Sequence, residues 1–166
     1  MTQAIGPETI IEGLREAGID LLATLPDINL YEVLSRVAKD PDFIHVPLCR
    51  EEEGIGVCAG AYMAGKRAAM IVQNGGLLNS CNALASTALH FQIPMLLLVY
   101  YAGDIGDRTF ATVGSVTEPV LRGLGIRYYV PRRLDEVKST ITRAQILAED
   151  SRYPVAILLT RDILEA

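Results

Sequence analysis

The chain has 166 residues, of which 50% are apolar and 21% are charged, and its net charge is −5. A chain of this length can bury a core of its own, so residues 1–166 are expected to fold as a single domain. The acidic balance, without a long run of lysine or arginine, argues against nucleic acid or an anionic membrane as a partner.

The three cysteines, Cys49, Cys58 and Cys81, include no C-x-x-C pair. An odd, scattered set favours a reducing compartment such as the cytoplasm and argues against a disulfide framework or a zinc site. We interpret all three as small core residues, with Cys49 near a loop that could face a ligand. The sequence shows no signal-peptide pattern and no apolar run near the roughly 20 residues of a membrane-spanning helix, so a soluble protein is expected.

Helical and strand patterns alternate along the chain. The first helix is predicted over "GPETIIEGLREAG", where Ile10, Ile11 and Leu14 recur at helical spacing, Pro7 suits a helix start and Gly18 a helix end. The next elements, in chain order, are the strand "DLLATL", the helix "NLYEVLSRVAKD", the strand "FIHVPL", the helix "REEEGIGVCAGAYMAG", the strand "AAMIVQN" and the helix "LLNSCNALASTALHF". They are followed by the strand "PMLLLVYY", the loop "AGDIGDRTFATVGSV", a helix through "TEPVLRGLG", the strand "IRYYV", the helix "RLDEVKSTITRAQILAED" and the strand "PVAILL".

This alternation, with strands that are apolar on both faces, predicts an α/β fold. Its three layers are a mainly parallel sheet and the helices on both faces of that sheet. Ligands of such sheets meet the loops at the carboxyl ends of the strands. The loops in that position are "LPDIN", "PLCREEE", "QNGGLLN" and "YYAGDIGDRTF".

Consecutive carboxylates, Glu51, Glu52 and Glu53, open one predicted helix. The helix dipole stabilises an exposed negative charge in the first turn by about 0.3–1 kcal/mol. We prefer this explanation for Glu52 and Glu53. Glu51 lies nearest the end of the preceding strand and could point into the ligand crevice, but its position alone leaves a catalytic role the less favoured interpretation.

The remaining polar positions each have a structural explanation beside a functional one. "QNGGLLN" could cradle a phosphate or could be a tight turn from strand to helix, and its residues do not decide between the two. Asp27 in "LPDIN" has an ordinary explanation as a helix N-cap. "GDIGD" has too few acids for a metal loop and is expected to be a mobile surface loop. His45 and His90 are not expected to be catalytic, and no metal ligands are predicted.

Three stretches taken together, "REEEGIGVCAGAYMAGK", "MIVQNGGLLNSCNALAS" and "IPMLLLVYYAGD", resemble the pyrimidine-binding domain of thiamine-diphosphate enzymes. The resemblance covers nearly the whole chain and is strongest to the phosphonopyruvate and sulfopyruvate decarboxylase group, which includes separately encoded alpha subunits. Family members carry a glutamate nine residues before the glycine of an Ala-Gly or similar pair, and counting back from Gly60 places it at Glu51. The resemblance implies that Glu51 binds N1′ of the aminopyrimidine and favours the imino form, whose 4′-nitrogen removes the C2 proton.

The resemblance also implies other site residues. Asp27 resembles a catalytic aspartate of several 2-oxoacid decarboxylases. The family stretch Q-N-S-G-L-G-N-S appears as "QNGGLLNS", with Gly75 in place of serine and Leu78 in place of glycine. The cofactor-binding residues implied are Glu51, Asn74, Gly75, Gly76, Leu77 and Asn79. The histidine that many of these enzymes carry after the fourth strand is absent from "DRTFATVG".

The chain lacks the Gly-Asp-Gly and Asn-Asn pattern that holds magnesium and the diphosphate in these enzymes. The resemblance therefore implies half an enzyme, the alpha subunit of a thiamine-diphosphate-dependent 2-oxoacid decarboxylase, with Mg²⁺ and the diphosphate held mainly by a beta subunit. The expected substrate is a small anionic 2-oxoacid, 3-sulfopyruvate, which would give sulfoacetaldehyde and CO₂. Self-association is expected through the helices that begin at Glu51 and Leu77, where small residues such as Gly56, Ala59 and Gly60 permit close packing.

Three alternatives stay open. The chain could be a half-enzyme for phosphonopyruvate, or for decarboxylation or carboligation of another 2-oxoacid. It could be a non-catalytic cofactor-binding or regulatory module. A flavodoxin-like nucleotide binder is the third alternative, and it would bind its ligand without a partner.

Overall fold

A sheet of six parallel strands forms the middle layer of the computed structural model, which describes residues 5–166. Residues 1–4 of the predicted domain lie outside the described part. The strands are β1 (Leu21–Thr24), β2 (Ile44–Pro47), β3 (Ala68–Gln73), β4 (Met95–Tyr100), β5 (Arg127–Tyr129) and β6 (Pro154–Leu159). Their order in the sheet is β2-β1-β3-β4-β6-β5, and each neighbouring pair is parallel. The predicted three-layer α/β fold is confirmed, with a sheet that is wholly parallel in the described residues.

Helices cover both faces of the sheet. They are α1 (Ile5–Glu16), α2 (Tyr31–Val37), α3 (Glu51–Met63), α4 (Asn74–Asn79), α5 (Cys81–Ala83), a π-helical segment (Leu84–Leu89), α6 (Ala111–Gly123), α7 (Leu134–Ser151) and α8 (Arg161–Leu164). One core lies between the sheet and α1, α2, α7 and α8, and the other between the sheet and α3, α4, the π-helical segment and α6. None of the described helices is long and apolar enough to cross a membrane.

Burial follows position in the sheet. The strands β1, β3, β4 and β6 are almost entirely buried, as their apolar sequences predict. The same prediction is wrong for β2 and β5, because both are edge strands and keep exposed residues. The prediction of three core cysteines holds only for Cys58, whose burial raises its pKa to about 12. Cys81 is half-buried and Cys49 is exposed in the loop after β2.

Two helices begin earlier than the sequence predicts. The helix expected from Leu77 begins at Asn74, directly after β3, so the two glycines of "QNGG" lie in its first turn and do not form a separate loop. That helix is also not continuous: the Ser80 hydroxyl bonds back to the carbonyl of Gly76 at 2.8 Å, an arrangement that bends helices. The other helix, α6, was expected around Thr117 and begins at Ala111. The short helix α8 was not predicted.

Candidate active site

The three glutamates at the start of α3 have different partners. Glu53 turns back to the helix start, where its Oε2 accepts hydrogen bonds from the backbone N–H groups of Cys49 at 3.1 Å and Arg50 at 3.2 Å. Glu52 forms an ion pair with Arg50 at 2.7 Å. Glu51 is half-buried and forms no ion pair with any residue in 5–166. Of the three carboxylates, Glu51 is thus the one that remains available for a ligand.

Glu51 lies against α4. Its Oε2 accepts a hydrogen bond of 3.1 Å from the side-chain amide of Asn79, which also donates to Glu52 at 3.1 Å. A Cβ built on Gly76 would lie only 2.5 Å from Glu51 Cγ and 3.0 Å from Oε1, so a side chain at this position would displace the Glu51 carboxylate. Oε1 itself has no protein donor in the described part of the chain. The contact orients the carboxylate, with one oxygen bonded and the other free.

Two of the predicted cofactor-binding residues have buried side chains. Asn74 is fully buried, and its Nδ2 donates to the carbonyl of Ala102 at 2.7 Å and to Thr117 Oγ1 at 3.0 Å. Leu77 is a core residue with 2% exposure. Both side chains hold α4 against its neighbours, so any contact they make with a ligand would use the backbone. Gly75 is less buried, and a Cβ built on it would meet the Gln73 side chain at an ordinary contact distance of 3.7 Å.

Asp27 lies in the loop after β1, beside α2. Its Oδ1 accepts hydrogen bonds from the backbone N–H groups of Asn29 at 2.8 Å and Leu30 at 3.3 Å, in the turn that precedes α2. The predicted N-cap role is wrong, because the N-cap residue of α2 is Leu30. The same side chain borders a cavity of about 230 Å³ that His45 also lines. His45 Nε2 lies 2.8 Å from Thr24 Oγ1, and burial lowers the pKa of His45. Sequence reasoning set His45 aside because nothing in its strand pattern shows that it shares a cavity with Asp27.

The loop after β4 lies at the surface, as predicted, with Ile105 91% exposed, and the Asp107 side chain anchors it. The Asp107 side chain is 3% exposed and accepts hydrogen bonds from the Tyr100 hydroxyl at 2.8 Å, the Gly103 N–H at 3.1 Å and Arg161 at 2.6 Å. Burial alone would raise the pKa of Asp107, but these hydrogen bonds hold it below its usual value. Burial and the nearby carboxylate raise the pKa of Tyr100 to about 12. Sequence spacing could not reveal this cluster, because Arg161 lies 54 residues from Asp107.

Residues 6–116 match the family described as thiamine pyrophosphate enzyme, N-terminal TPP binding domain. The chain belongs to this family. The matched residues include Glu51, Gly76, Asn79 and Asp27, which the structure places at the carboxyl edge of the sheet. The resemblance found in the sequence is therefore confirmed at the level of the family.

Individual relatives agree with this assignment. The chain is 38% identical over 154 residues to sulfopyruvate decarboxylase subunit alpha of Methanococcus maripaludis, covering 92% of each chain. It is 37% identical over 125 residues to a sulfopyruvate decarboxylase of Methanosarcina acetivorans, covering 74% of this chain and 32% of the relative. In fold, it is similar to the 2-oxoglutarate:ferredoxin oxidoreductase of Magnetococcus marinus, with a TM-score of 0.77 at 17% identity, over 96% of this chain and 29% of that one.

The residues around Glu51 fit the aminopyrimidine of thiamine diphosphate. They offer a carboxylate oxygen without a protein donor, an amide from Asn79 that orients the carboxylate, and a glycine, Gly76, that leaves room for it. Residues 5–166 contain no group of three or more His, Cys, Asp or Glu side chains that could hold a metal ion. The described residues thus offer a site for the pyrimidine end of the cofactor.

Proposed function

We propose that the chain is the alpha subunit of a thiamine-diphosphate-dependent decarboxylase that converts 3-sulfopyruvate to sulfoacetaldehyde and CO₂. The observation that supports this most directly is the Glu51 carboxylate, with Oε2 bonded to Asn79 and Oε1 free, in a chain that matches a sulfopyruvate decarboxylase alpha subunit over 92% of both lengths. Bound thiamine diphosphate supplies the electron sink for the pair of electrons that departing CO₂ leaves behind.

Glu51 is the catalytic carboxylate of this proposal. Its Oε1 would hold a proton at N1′ of the pyrimidine, and its negative charge would stabilise the protonated nitrogen. Asn79 and Gly76 fix the direction of the carboxylate. The backbone of Asn74, Gly75 and Leu77 would complete the surface that holds the pyrimidine.

Asp27 is the second catalytic residue of the proposal. It lies at the carboxyl end of β1, and it shares a cavity with His45. A carboxylate and an imidazole at one cavity can move protons to and from a substrate at neutral pH. In the described part of the chain, Asp27 also retains its two backbone hydrogen bonds, which hold the carboxylate in place.

A partner chain completes the enzyme in this proposal. A beta subunit would supply the diphosphate-binding domain and Mg²⁺, and the "subunit alpha" name of the relative supports a divided enzyme. One face of α3 supports such packing, because added Cβ atoms at Gly56 and Gly60 would meet nothing within 4 Å and Met63 is 82% exposed. The same face could also join two copies of this chain. Ala59, expected at that contact, is instead buried in its own core.

We propose that the protein is cytoplasmic, so it is expressed in the cytoplasm of the host. The test is reconstitution of decarboxylase activity. The chain is produced alone and together with the product of a neighbouring gene that carries the Gly-Asp-Gly pattern, and both are supplied with thiamine diphosphate and Mg²⁺. We expect release of CO₂ and sulfoacetaldehyde from 3-sulfopyruvate only by the pair, and slower reaction with phosphonopyruvate or pyruvate. Turnover by the chain alone would contradict the half-enzyme, cofactor binding without turnover would favour a regulatory module, and a carboligation product would favour the other enzyme class.

A further inference from the structure

Arginine is the only basic residue type in the loops and helix starts that follow the carboxyl ends of the described strands. The residues are Arg50, Arg108, Arg132, Arg133 and Arg161. Four of them are neutralised within the chain, by Glu52, Asp104, Asp135 and Asp107 respectively. Arg108 is exposed and has no hydrogen bond or ion pair with any described residue. It is therefore the one basic side chain at this edge whose charge the described residues leave unpaired.

The backbone next to Arg108 is held in place. Its neighbour Asp107 is bonded to Tyr100, Gly103 and Arg161. After Arg108 the chain passes through Phe110, which has φ of 62°, and enters α6. An arginine whose backbone is already held in place loses less conformational entropy on binding a ligand than an arginine on a mobile loop.

The Arg108 loop is also connected to the Glu51 site. β4 lies directly beside β3, and the carbonyl of Ala102, at the start of the loop, accepts the 2.7 Å hydrogen bond from Asn74. Asn74 begins α4, which carries the Gly76 and Asn79 contacts to Glu51. The Arg108 loop and the start of α3 thus both follow strand ends at the same edge of the sheet, and α4 contacts the loop at Ala102 and α3 at Glu51.

We infer that Arg108 binds the sulfonate of 3-sulfopyruvate and so selects a 2-oxoacid that carries a second anionic group. This inference rests on the proposed function. A guanidinium forms paired, charge-assisted hydrogen bonds with a planar or tetrahedral oxyanion. The sulfonate keeps its charge throughout the reaction, so the contact is equally strong before and during decarboxylation. Such uniform binding lowers KM and leaves kcat nearly unchanged.

The test compares Arg108→Gln with the parent in the reconstituted complex. For 3-sulfopyruvate we expect KM to rise roughly 10- to 100-fold, the usual range for losing a charged hydrogen bond, with kcat changed little. For pyruvate, which lacks the sulfonate, kcat/KM should stay at the parent value. Inhibition by 3-sulfolactate should weaken by the same factor as KM rises, and Arg108→Lys should recover part of the loss.

Arg133→Gln is the matched control, because Arg133 is also exposed at the same edge but already paired with Asp135. It should leave both substrates at their parent values, and neither variant should change the C2 hydrogen exchange of bound cofactor in the absence of substrate. An unchanged preference for 3-sulfopyruvate in Arg108→Gln, or an equal loss for both substrates, would overturn the role of Arg108. A parent complex that does not prefer 3-sulfopyruvate to pyruvate would instead overturn the proposed function, and the role of Arg108 with it.

Discussion

Glu51 and Gly76 lie in direct contact, although they belong to different helices that follow different strands. A Cβ on Gly76 would come within 2.5 Å of Glu51 Cγ and 3.1 Å of its Cδ. The missing side chain is therefore what allows the carboxylate to occupy its place beside α4. Since Asn79 on the next turn of α4 bonds the same carboxylate, this helix determines the direction of Glu51.

Gly76→Ala should displace the Glu51 carboxylate without unfolding the chain. The added methyl group cannot fit beside Glu51, but the glutamate side chain can rotate away, so the chain should still fold. Displacing a catalytic group by about 1 Å can cost roughly 100-fold in rate, and we expect a loss of that order in decarboxylation. The measurements are steady-state turnover of the complex and its circular dichroism spectrum.

The matched control is Gly123→Ala at the end of α6, where an added Cβ would meet nothing within 4 Å. This variant should fold and turn over like the parent. Parent-like turnover in Gly76→Ala would show that Glu51 does not depend on the contact with α4.

Asn74→Ala should lower stability. It removes a buried amide that donates to Ala102 and Thr117, and it leaves the Ala102 carbonyl without that donor. An unsatisfied buried group costs about 1–3 kcal/mol in the free energy of unfolding. The measurement is urea unfolding of the two proteins under the same conditions. The control, Asn82→Ala, alters an exposed side chain of α5 and should change the free energy of unfolding by less than about 0.5 kcal/mol.

Asp107→Asn should destabilise the chain in a pH-dependent way. Hydrogen bonds to a charged group contribute about 1.5–3 kcal/mol, and Asp107 is bonded to Tyr100, Gly103 and Arg161. Because its pKa in the folded chain lies below the unfolded value of about 3.9, its charge stabilises the fold above that pH. This contribution is lost as pH falls through the folded pKa.

The difference in unfolding free energy between parent and Asp107→Asn should therefore be largest near pH 7 and narrow below about pH 4. Urea unfolding at a series of pH values measures it. Asp42→Asn is the control, since Asp42 is 69% exposed and its ion pair with Arg15 spans 3.5 Å, so its effect should stay below about 1 kcal/mol. A constant difference across the whole pH range would contradict a role for the Asp107 charge.

The sequence predicts the framework well because burial on both faces leaves a clear apolar signal. The strand predicted as "PVAILL" coincides with β6, and the helix predicted after Arg50 begins at Glu51 as expected. The start of α6 escaped prediction because it depends on a distant contact. A Cβ on Gly114 would lie 2.5 Å from the Gly103 carbonyl, so this turn of the helix packs against the loop backbone, which local sequence cannot show.

The candidate site, like the fold, has features that the sequence predicts and features that depend on distant contacts. Position and charge alone favoured a helix-dipole role for all three glutamates, and the resemblance to a family singled out Glu51. The contacts that orient Glu51 come from α4, which lies about 28 residues further along the chain. Asp107 and Arg161 are also far apart in sequence, so neither their pairing nor the free charge of Arg108 beside them could be predicted.

Glu51→Gln is the sharpest test of the catalytic assignment. The amide has nearly the size of the carboxylate and can still form hydrogen bonds, but it lacks the charge that stabilises a protonated pyrimidine nitrogen. The complex should assemble normally, while C2 hydrogen–deuterium exchange of bound cofactor and steady-state decarboxylation should slow by about 100-fold or more.

Glu52→Gln and Glu53→Gln are the controls within the same helical turn. Glu52 would lose its ion pair with Arg50, and Glu53 would weaken its hydrogen bonds to the N–H groups of Cys49 and Arg50. Each change should cost about 0.5–2 kcal/mol of stability at most, with near-normal exchange and turnover. If Glu51→Gln behaves like the parent while either neighbour is inactive, the working carboxylate is that neighbour, and the contact between Glu51 and Gly76 has only a structural role.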